Sequence, residues 1–268
     1  AKQRFIREVQ LTSRLTHPNT VAIYDFGQTP EGTLYYAMEH LNGVSLEDLV
    51  RISGPQPAAR VLHILHQVCG SLDEAHGQGL LHRDVKPANI MLCERGGMRD
   101  VIKVLDFGMV KDVSVDAQLD LTQAGVVMGT PQYLSPEAIR KLREVDGRSD
   151  LYALGAVAYF MLTGRHVYDG PTPFEVVRQH LEEQPTPPST YFPGLPEDLE
   201  AIILACLAKD PDQRPASARE LAERLETCSV GRAWDQRQAA AWWARHEGDA
   251  RPTVPGVPSD PLVVGPSD

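Results

Sequence analysis

The sequence lacks paired cysteines, long apolar runs and an excess of positive charge. Its four cysteines are far apart and form no C-x-x-C pair, which is typical of reduced thiols rather than a disulfide framework. The most apolar run, Leu151–Leu162, covers 12 residues, whereas a membrane span needs about 20, so the run predicts a helix buried in a protein core. A net charge of −10 argues against nucleic-acid binding that depends on neutralising phosphates.

The beginning of the chain lacks the apolar segment of a secretory signal peptide, because residues 1–20 are charged and amphipathic. These absences predict a cytoplasmic location, and they leave room for a parent protein that is anchored in a membrane beyond residue 268. The first residue is Ala rather than Met, and it leads directly into a helical pattern. With 42% hydrophobic residues, the chain can bury a sizeable core.

Apolar periodicity divides the chain into a small first part that contains strands and a larger helical part. Strand patterns occur at residues 21–26, 33–41, 90–93 and 101–105. Helical patterns occur at residues 2–15, 58–76, 136–142, 150–163, 173–182, 197–208 and 217–227. This organisation predicts an α+β fold.

The C-terminal part changes character after the last of these helices. Residues 234–246 contain all three tryptophans, and we predict a further helix there that packs on the domain. From about residue 250 the chain is rich in Pro, Gly, Ser and Asp, a composition that predicts disorder.

The strongest chemical signal is the run from His82 to Asn89, which reads HRDVKPAN. It places a carboxylate, an ammonium group and a carboxamide on one short loop. The Asp84 carboxylate can accept a proton from a hydroxyl group, Lys86 can neutralise a phosphoryl group during transfer, and Asn89 can bind a hard cation.

A second carboxylate directly follows the predicted strand 101–105, in the tripeptide Asp106-Phe107-Gly108. A carboxylate at a strand end suits Mg²⁺ held against phosphate oxygens, and the glycine permits unusual backbone angles. Either motif alone is weak evidence. Both motifs in this order and at this spacing predict phosphoryl transfer.

From residue 1 to about 228 the sequence resembles the protein kinase family, whose H-R-D-x-x-x-x-N and D-F-G motifs match these two runs. The resemblance implies that Asp84 is the catalytic base, that Lys86 contacts the γ-phosphate of ATP, and that Asn89 and Asp106 bind Mg²⁺ or Mn²⁺. Because Lys86 is followed by proline, the loop is similar to that of Ser/Thr kinases rather than tyrosine kinases.

Further motifs of the family follow in order. Gly129–Glu137 resembles the substrate-facing loop and its A-P-E ending, with Ser in place of Ala. In this resemblance Thr130 hydrogen-bonds near Asp84 and Lys86, which is another mark of the Ser/Thr class.

Two more motifs have structural roles in the family. Arg148–Gly155 resembles the start of a buried central helix, and its Asp150 would support the backbone of the catalytic loop. Arg214 resembles the partner of Glu137 in a buried ion pair. Both therefore support the fold rather than the chemistry.

The first part of the chain contains candidates for nucleotide binding. By resemblance, Met38 is the gatekeeper, the backbone of Glu39 and Leu41 faces the adenine, and Met91 lies beneath the ring. Residue type alone makes them ordinary strand and core residues, so this interpretation depends on their register with the catalytic loop. Glu8 aligns with the helix glutamate that pairs with a phosphate-binding lysine.

Residues 109–130 correspond to the activation loop of the family. Because Arg83 precedes Asp84, a phosphate on this loop could pair with Arg83 and order the loop. Thr122 occupies the position of an activating threonine in related bacterial kinases, and we predict that it is autophosphorylated. Ser114 is a weaker candidate.

Two parts that a kinase requires do not occur in the sequence. It has no G-x-G-x-x-G loop, and only Lys2 precedes Glu8, too close to lie on a separate strand. We favour truncation of an ordinary kinase over a pseudokinase-like binding module, and we predict that this chain alone transfers little phosphate. A small-molecule phosphotransferase is a third alternative, against which Lys86, the complete Gly129–Glu137 loop and Arg214 argue.

The predicted organisation is a bilobal protein-kinase-like fold with three segments. They are a kinase domain at 1–228 (partial N-lobe 1–41, C-lobe 42–228), a Trp-containing extension at 229–249 and a disordered tail at 250–268. The implied partners are ATP, protein substrates with Ser or Thr, and a second kinase copy for autophosphorylation, without nucleic acid. His63, His66 and Cys69 share a helix but lack a fourth ligand, which favours a core helix over a metal site.

Overall fold

The computed structural model describes residues 9–30, 33–107, 130–140, 145–230 and 233–246. Within these ranges the chain forms two small antiparallel sheets, followed and flanked by helices. The α+β organisation predicted from the sequence is confirmed.

The first sheet is a hairpin of two strands, β1 (Ile23–Gln28) and β2 (Leu34–Met38). Phe26 lies opposite Tyr36 in the pairing. The strands predicted at 21–26 and 33–41 are therefore confirmed with different ends. β2 stops before Glu39, whose backbone N–H instead donates to the carbonyl oxygen of Ala22 at 2.9 Å.

The second sheet has the order β3 (Gly43–Ser45), β4 (Ile90–Arg95) and β5 (Met98–Val104). The sequence did not predict β3, because three residues are too few for an alternating pattern. Gly43 is required in β3, since a Cβ atom there would lie 2.3 Å from the carbonyl oxygen of Leu92. The backbones of β3 and β4 approach each other closely for this reason.

A bulge interrupts the pairing of β4 with β5. Cys93 pairs with Val101, but the next pair is Arg95 with Met98, so β5 has one residue more than β4 between the two pairs. Asp100 lies in the bulge with a φ of 59°. Bulges redirect side chains, and Asp is among the residues that tolerate this left-handed conformation.

Eight α-helices lie whole within the described ranges: α1 (Leu46–Ser53), α2 (Ala58–Gly77), α3 (Pro136–Ile139), α4 (Gly147–Thr163), α5 (Pro173–Glu182), α6 (Glu197–Cys206), α7 (Ala218–Glu226) and α8 (Gln236–His246). Four of them begin after a Ser or Thr that accepts a hydrogen bond from the N–H three residues later, namely Ser45, Ser135, Thr172 and Ser217. These caps satisfy donors that the first helical turn leaves unpaired. They explain why these four helices begin where they do.

Helix α4 forms the centre of the helical body. It is buried along almost its whole length, from Asp150 to Thr163, as its continuous apolar run predicts. None of the helices within the described ranges is both long enough and apolar enough to span a membrane.

Residues 9–12 are helical, and they belong to the helix predicted for residues 2–15. Residues 2–8 of that prediction lie outside the described ranges. The chain then attaches to α2 through one carboxylate. Glu74 accepts hydrogen bonds from the backbone N–H groups of Thr16 and His17, both at 2.9 Å.

Candidate active site

The loop between α2 and β4 brings three polar side chains together. Lys86 Nζ lies 3.0 Å from Asp84 Oδ2, and Asn89 Nδ2 donates to the same oxygen at 3.1 Å. Asn89 Nδ2 also donates to the backbone carbonyl of Asp84 at 2.9 Å. The ammonium and carboxamide groups predicted to act with the carboxylate are therefore each within hydrogen-bond distance of it.

A buried carboxylate on α4 holds this loop in place. Asp150 accepts hydrogen bonds from the backbone N–H of His82 at 2.9 Å and of Arg83 at 2.8 Å. His76 on α2 contributes a third contact, with Nε2 2.8 Å from Asp150 Oδ2. Burial raises the pKa of Asp150, but the His76 hydrogen bond and the neighbouring donors outweigh burial, so that the net shift is downward.

His82 connects the loop to the end of β5. Its Nε2 lies 2.8 Å from the carbonyl oxygen of Leu105, and its Nδ1 accepts from the N–H of Asp84 at 3.2 Å. Since a carbonyl can only accept, Nε2 carries the proton and the ring is the neutral tautomer. Burial lowers the pKa of His82, and Phe107 packs on the ring with the centroids 4.7 Å apart.

Asp106 follows β5 with a φ of 54°, a conformation that residues other than glycine adopt rarely. Tyr36 on β2 donates its hydroxyl hydrogen to Asp106 Oδ1 at 2.8 Å. The contact joins the first hairpin to the second carboxylate of the site. Burial and the Asp106 charge together raise the pKa of Tyr36, so the phenol remains a donor at neutral pH.

The donor set suits a hard divalent cation. Asn89 uses Nδ2 for its two contacts with Asp84, which leaves the Oδ1 oxygen for a ligand. Asn89 and Asp106 together would offer the carbonyl and carboxylate oxygens that Mg²⁺ prefers. Within the described residues no group of three or more His, Cys, Asp and Glu side chains could hold a metal ion without further ligands such as phosphate or water.

The predicted adenine-binding residues lie at the end of the first hairpin and on the second sheet. Met38 is 41% exposed, and Met91 lies on β4 opposite Ser45 and Lys103. Leu41 follows the hairpin and is half-buried. Their contact with adenine stays a prediction.

Glu39 has a structural function that the sequence did not reveal. Its carboxylate is buried and accepts from Lys103 Nζ at 2.6 Å, from the N–H of Ala22 at 2.9 Å and from Arg95. The burial of Glu39 opposes ionisation, but the donors of Lys103, Ala22 and Arg95 outweigh it and lower the pKa. The side chain therefore anchors the first hairpin to the second sheet.

The predicted buried ion pair is present. Both guanidinium nitrogens Nη1 and Nη2 of Arg214 donate to Glu137, at 2.7 and 2.9 Å. Ser149 also donates to Glu137. Despite its burial, Glu137 has its pKa lowered to about 2 by these donors.

Several predicted residues cannot be placed. Glu8, Gly108, Ser114 and Thr122 lie outside the described ranges. Thr130 is exposed and lies directly before the short helical turn Pro131–Tyr133. Its hydrogen bond near Asp84 stays a prediction. Arg83 has a φ of 63° within the loop that Asp150 holds.

The candidate metal residues on α2 have other contacts. His63 Nε2 lies 3.3 Å from the carbonyl oxygen of Asp100, and His66 Nε2 lies 3.0 Å from a carboxylate oxygen of Glu226. Cys69 is fully buried. These contacts agree with the sequence interpretation of a core helix.

Comparisons with known proteins show the family of the chain. The sequence model described as protein kinase domain matches residues 1–225. The chain is 43% identical over 221 residues to the serine/threonine-protein kinase PknB of Mycobacterium tuberculosis, covering 81% of this chain and 34% of that protein. It is 42% identical over 226 residues to the serine/threonine-protein kinase pkn3 of Myxococcus xanthus, covering 83% and 41%. The chain thus spans about a third to two fifths of these curated relatives.

Solved structures show the same fold. The PknI kinase domain of M. tuberculosis aligns with a TM-score of 0.64 at 32% identity, covering 84% of this chain and 78% of that one. Rad53 residues 1–466, in complex with AMP-PNP, align with a TM-score of 0.68 at 25% identity, covering 82% and 53%. The described sheets and helices are therefore parts of a protein-kinase-like fold. On the family match, the relatives and the fold together, the chain belongs to the protein kinase family, and the relatives it matches are named Ser/Thr protein kinases.

Proposed function

We propose that this chain supplies the catalytic groups of a Ser/Thr protein kinase, which transfers the γ-phosphoryl group of ATP to Ser or Thr hydroxyls of protein substrates. The observation that supports the proposal most is the contact of Asp84 with Lys86 and Asn89 on a loop whose backbone is hydrogen-bonded to Asp150. Most of the catalysis of phosphoryl transfer is positioning and charge stabilisation, which such a fixed loop provides.

Each polar group has a defined part in this proposal. Asp84 accepts the proton of the substrate hydroxyl, and Lys86 offsets charge on the transferred group. Asn89 and Asp106 hold Mg²⁺ or Mn²⁺, which when bound neutralises phosphate oxygens. Met38, Met91 and the backbone of Glu39 and Leu41 contact the adenine, and Glu8 pairs with a phosphate-binding lysine.

The test uses this chain in two forms. One is the 268-residue chain itself, from which we expect little phosphate transfer. The other carries the Gly-rich loop and strand lysine of a relative such as PknB ahead of Ala1. We expect the extended form to phosphorylate Ser/Thr peptides with Mg-ATP. Asp84→Asn should then lower the rate about 10²- to 10⁴-fold, as loss of a general base does.

Matched substrates separate the proposal from its alternatives. A peptide with Tyr in place of the acceptor Ser should be phosphorylated little by the extended form. Phosphorylation of aminoglycosides but not of peptides would favour a small-molecule phosphotransferase. No transfer by the extended form, with nucleotide binding retained, would favour a pseudokinase-like binding module.

We further propose that Thr122 is autophosphorylated and that its phosphate pairs with Arg83. Phosphopeptide mapping of active extended chain should find Thr122 modified, and Thr122→Ala should lower activity more than Ser114→Ala. Active protein in which Thr122 is always unmodified would contradict this. Because ATP is supplied in the cytoplasm, we place the catalytic part of the protein there.

A further inference from the structure

The carboxylate of Asp100 on β5 accepts hydrogen bonds from α2 and from the C-terminal segment 233–246. Arg60 on α2 donates Nε to Oδ2 at 2.8 Å and Nη2 to Oδ1 at 3.0 Å. Trp234 donates its indole N–H to Oδ2, and Trp243 donates its indole N–H to Oδ1, both at 2.8 Å. Arg60 is 0% and Asp100 1% exposed, so each carboxylate oxygen receives one guanidinium and one indole donor without competition from water.

The β-bulge explains why Asp100 can serve in this way. The extra residue in β5 turns the carboxylate towards α2 and α8. A left-handed residue other than glycine persists where surrounding contacts hold it. At Asp100 those contacts come from Arg60 and from the two tryptophans.

Helix α8 binds the neighbouring residue as well. The side-chain amide of Gln236 accepts from the N–H of Arg99 at 2.8 Å and donates to its carbonyl oxygen at 2.9 Å. Arg99 Nη1 in turn donates to the carbonyl oxygen of Ala240 at 2.9 Å. The segment 233–246 is thus joined to the bulge by polar contacts at two consecutive residues.

Trp242 differs from the other two tryptophans. The guanidinium of Arg60 lies 4.3 Å from its ring centroid and 4.9 Å from that of Trp234, so the cation–π contact is shared and the difference is in the indole nitrogen. The indole nitrogen of Trp242 is buried and has no hydrogen-bond partner within the described part of the chain. Trp242 therefore packs at the same site without donating to Asp100.

We propose that residues 233–246 form a latch on Asp100 that holds β5, the strand that leads to Asp106. The role of Asp106 rests on the proposed function, whereas the latch on β5 does not.

The residues between Asp100 and Asp106 are bonded to other parts of the site. Lys103 on β5 holds Glu39, and the N–H of Val104 donates to the carbonyl oxygen of Asn19 at 2.7 Å. The N–H of Leu105 donates to the carbonyl oxygen of Asn89 at 2.9 Å. Movement of the strand at the bulge would therefore reach both the first hairpin and the loop with Asn89.

Amide hydrogen exchange of the complete 268-residue chain tests the latch without nucleotide. Trp234→Phe/Trp243→Phe keeps an aromatic ring at each position and removes both donors to Asp100. We expect exchange at Val104 and Leu105 to become about 10-fold faster or more, since hydrogen bonds to charged groups are the strong ones. Trp242→Phe is the matched control, and it should change exchange at these amides by less than about twofold.

Two results would overturn the proposal. In the first, exchange in the double variant rises within residues 233–246 but not at Val104 and Leu105, so that the latch does not hold the strand. In the second, Trp242→Phe has as large an effect as the double variant, so that packing rather than indole donation is responsible. Should the double variant not fold, Trp234→Phe alone, at a half-buried position, gives the same comparison. A failure of phosphate transfer would leave these exchange rates unaffected, so the two proposals fail separately.

Discussion

The two hairpins of the chain differ in how they are supported. The hairpin β4–β5 pairs with β3, packs against α2 and α8, and has buried charged side chains with partners on both. The hairpin β1–β2 pairs with no further strand within the described ranges. Its tyrosines Tyr24 and Tyr35 are 70% and 43% exposed.

The two hairpins also carry different candidate functional residues. Asp106, and through Leu105 also His82, depend on the well-supported hairpin. Met38, the candidate adenine contact, lies on the sparsely supported one. A two-stranded hairpin alone is marginal in water, so Glu39 and Tyr36 become important as its attachments to the rest of the site.

Breaking the Glu39 attachment should have the largest effect. Glu39→Ala leaves Lys103 buried without its carboxylate, and we expect the free energy of unfolding to fall by roughly 3–5 kcal/mol. Urea denaturation measures this. Glu94→Ala is the control in the same sheet, because Glu94 forms an exposed pair with Arg99 worth about 0.2–1 kcal/mol. Equal losses in the two variants would contradict the anchoring function of Glu39.

Acid should weaken the helical body to which both hairpins attach. Although Glu137 is buried, the donors of Arg214 and Ser149 lower its pKa from the ordinary value of 4.5 to about 2 in the folded chain, so its contribution to stability is complete above about pH 4.5 and is lost as the pH falls towards 2. The loss is on the order of 3 kcal/mol. Urea denaturation at pH 5, 4 and 3 should show it, and Glu137→Gln should flatten the decline. An unchanged slope in that variant would remove Glu137 as the cause.

The Tyr36 contact should have a smaller effect. Tyr36→Phe removes one donor from Asp106, which is half-buried and can recruit water, so we expect a loss of about 1 kcal/mol in thermal unfolding. Tyr35→Phe is the matched control, because its hydroxyl lies 3.5 Å from Asp25 at the surface. A loss in Tyr35→Phe as large as that in Tyr36→Phe would argue that the hairpin responds to any lost hydroxyl.

Side-chain truncation on the two hairpins should give the smallest effect and the clearest contrast. Ile102→Val removes one methylene group at a fully buried position of β5 and should cost about 0.5–1.5 kcal/mol. Tyr24→Ser removes a whole ring from β1 and should cost less than about 0.5 kcal/mol. Chemical denaturation of both variants compares them directly. The opposite ranking would mean that β1 is covered in solution.

The parts of the site that the sequence predicted are contiguous in the chain. His82–Asn89 and Asp106 stand in short runs whose order and spacing identify them, and Arg214 was paired with Glu137 through family motifs. The contacts Glu39–Lys103 and Arg60–Asp100 join residues 64 and 40 positions apart, and no local spacing rule connects such residues. A weak signal exists: Lys103 lies between two apolar strand residues, and Arg60 lies on the apolar side of α2. A charged side chain in such a place must have a buried partner, but the sequence does not say which one.

The fixed tautomer of His82 has a consequence for kinetics. Protonation of the ring would break the bond that Nδ1 accepts from Asp84, and burial already disfavours the charged form. His82 therefore does not act as a general acid at physiological pH, although its ring accepts a hydrogen bond from the backbone of Asp84, the candidate base. A limb near pH 6.5 in the pH–rate profile of phosphate transfer could therefore not be assigned to this histidine.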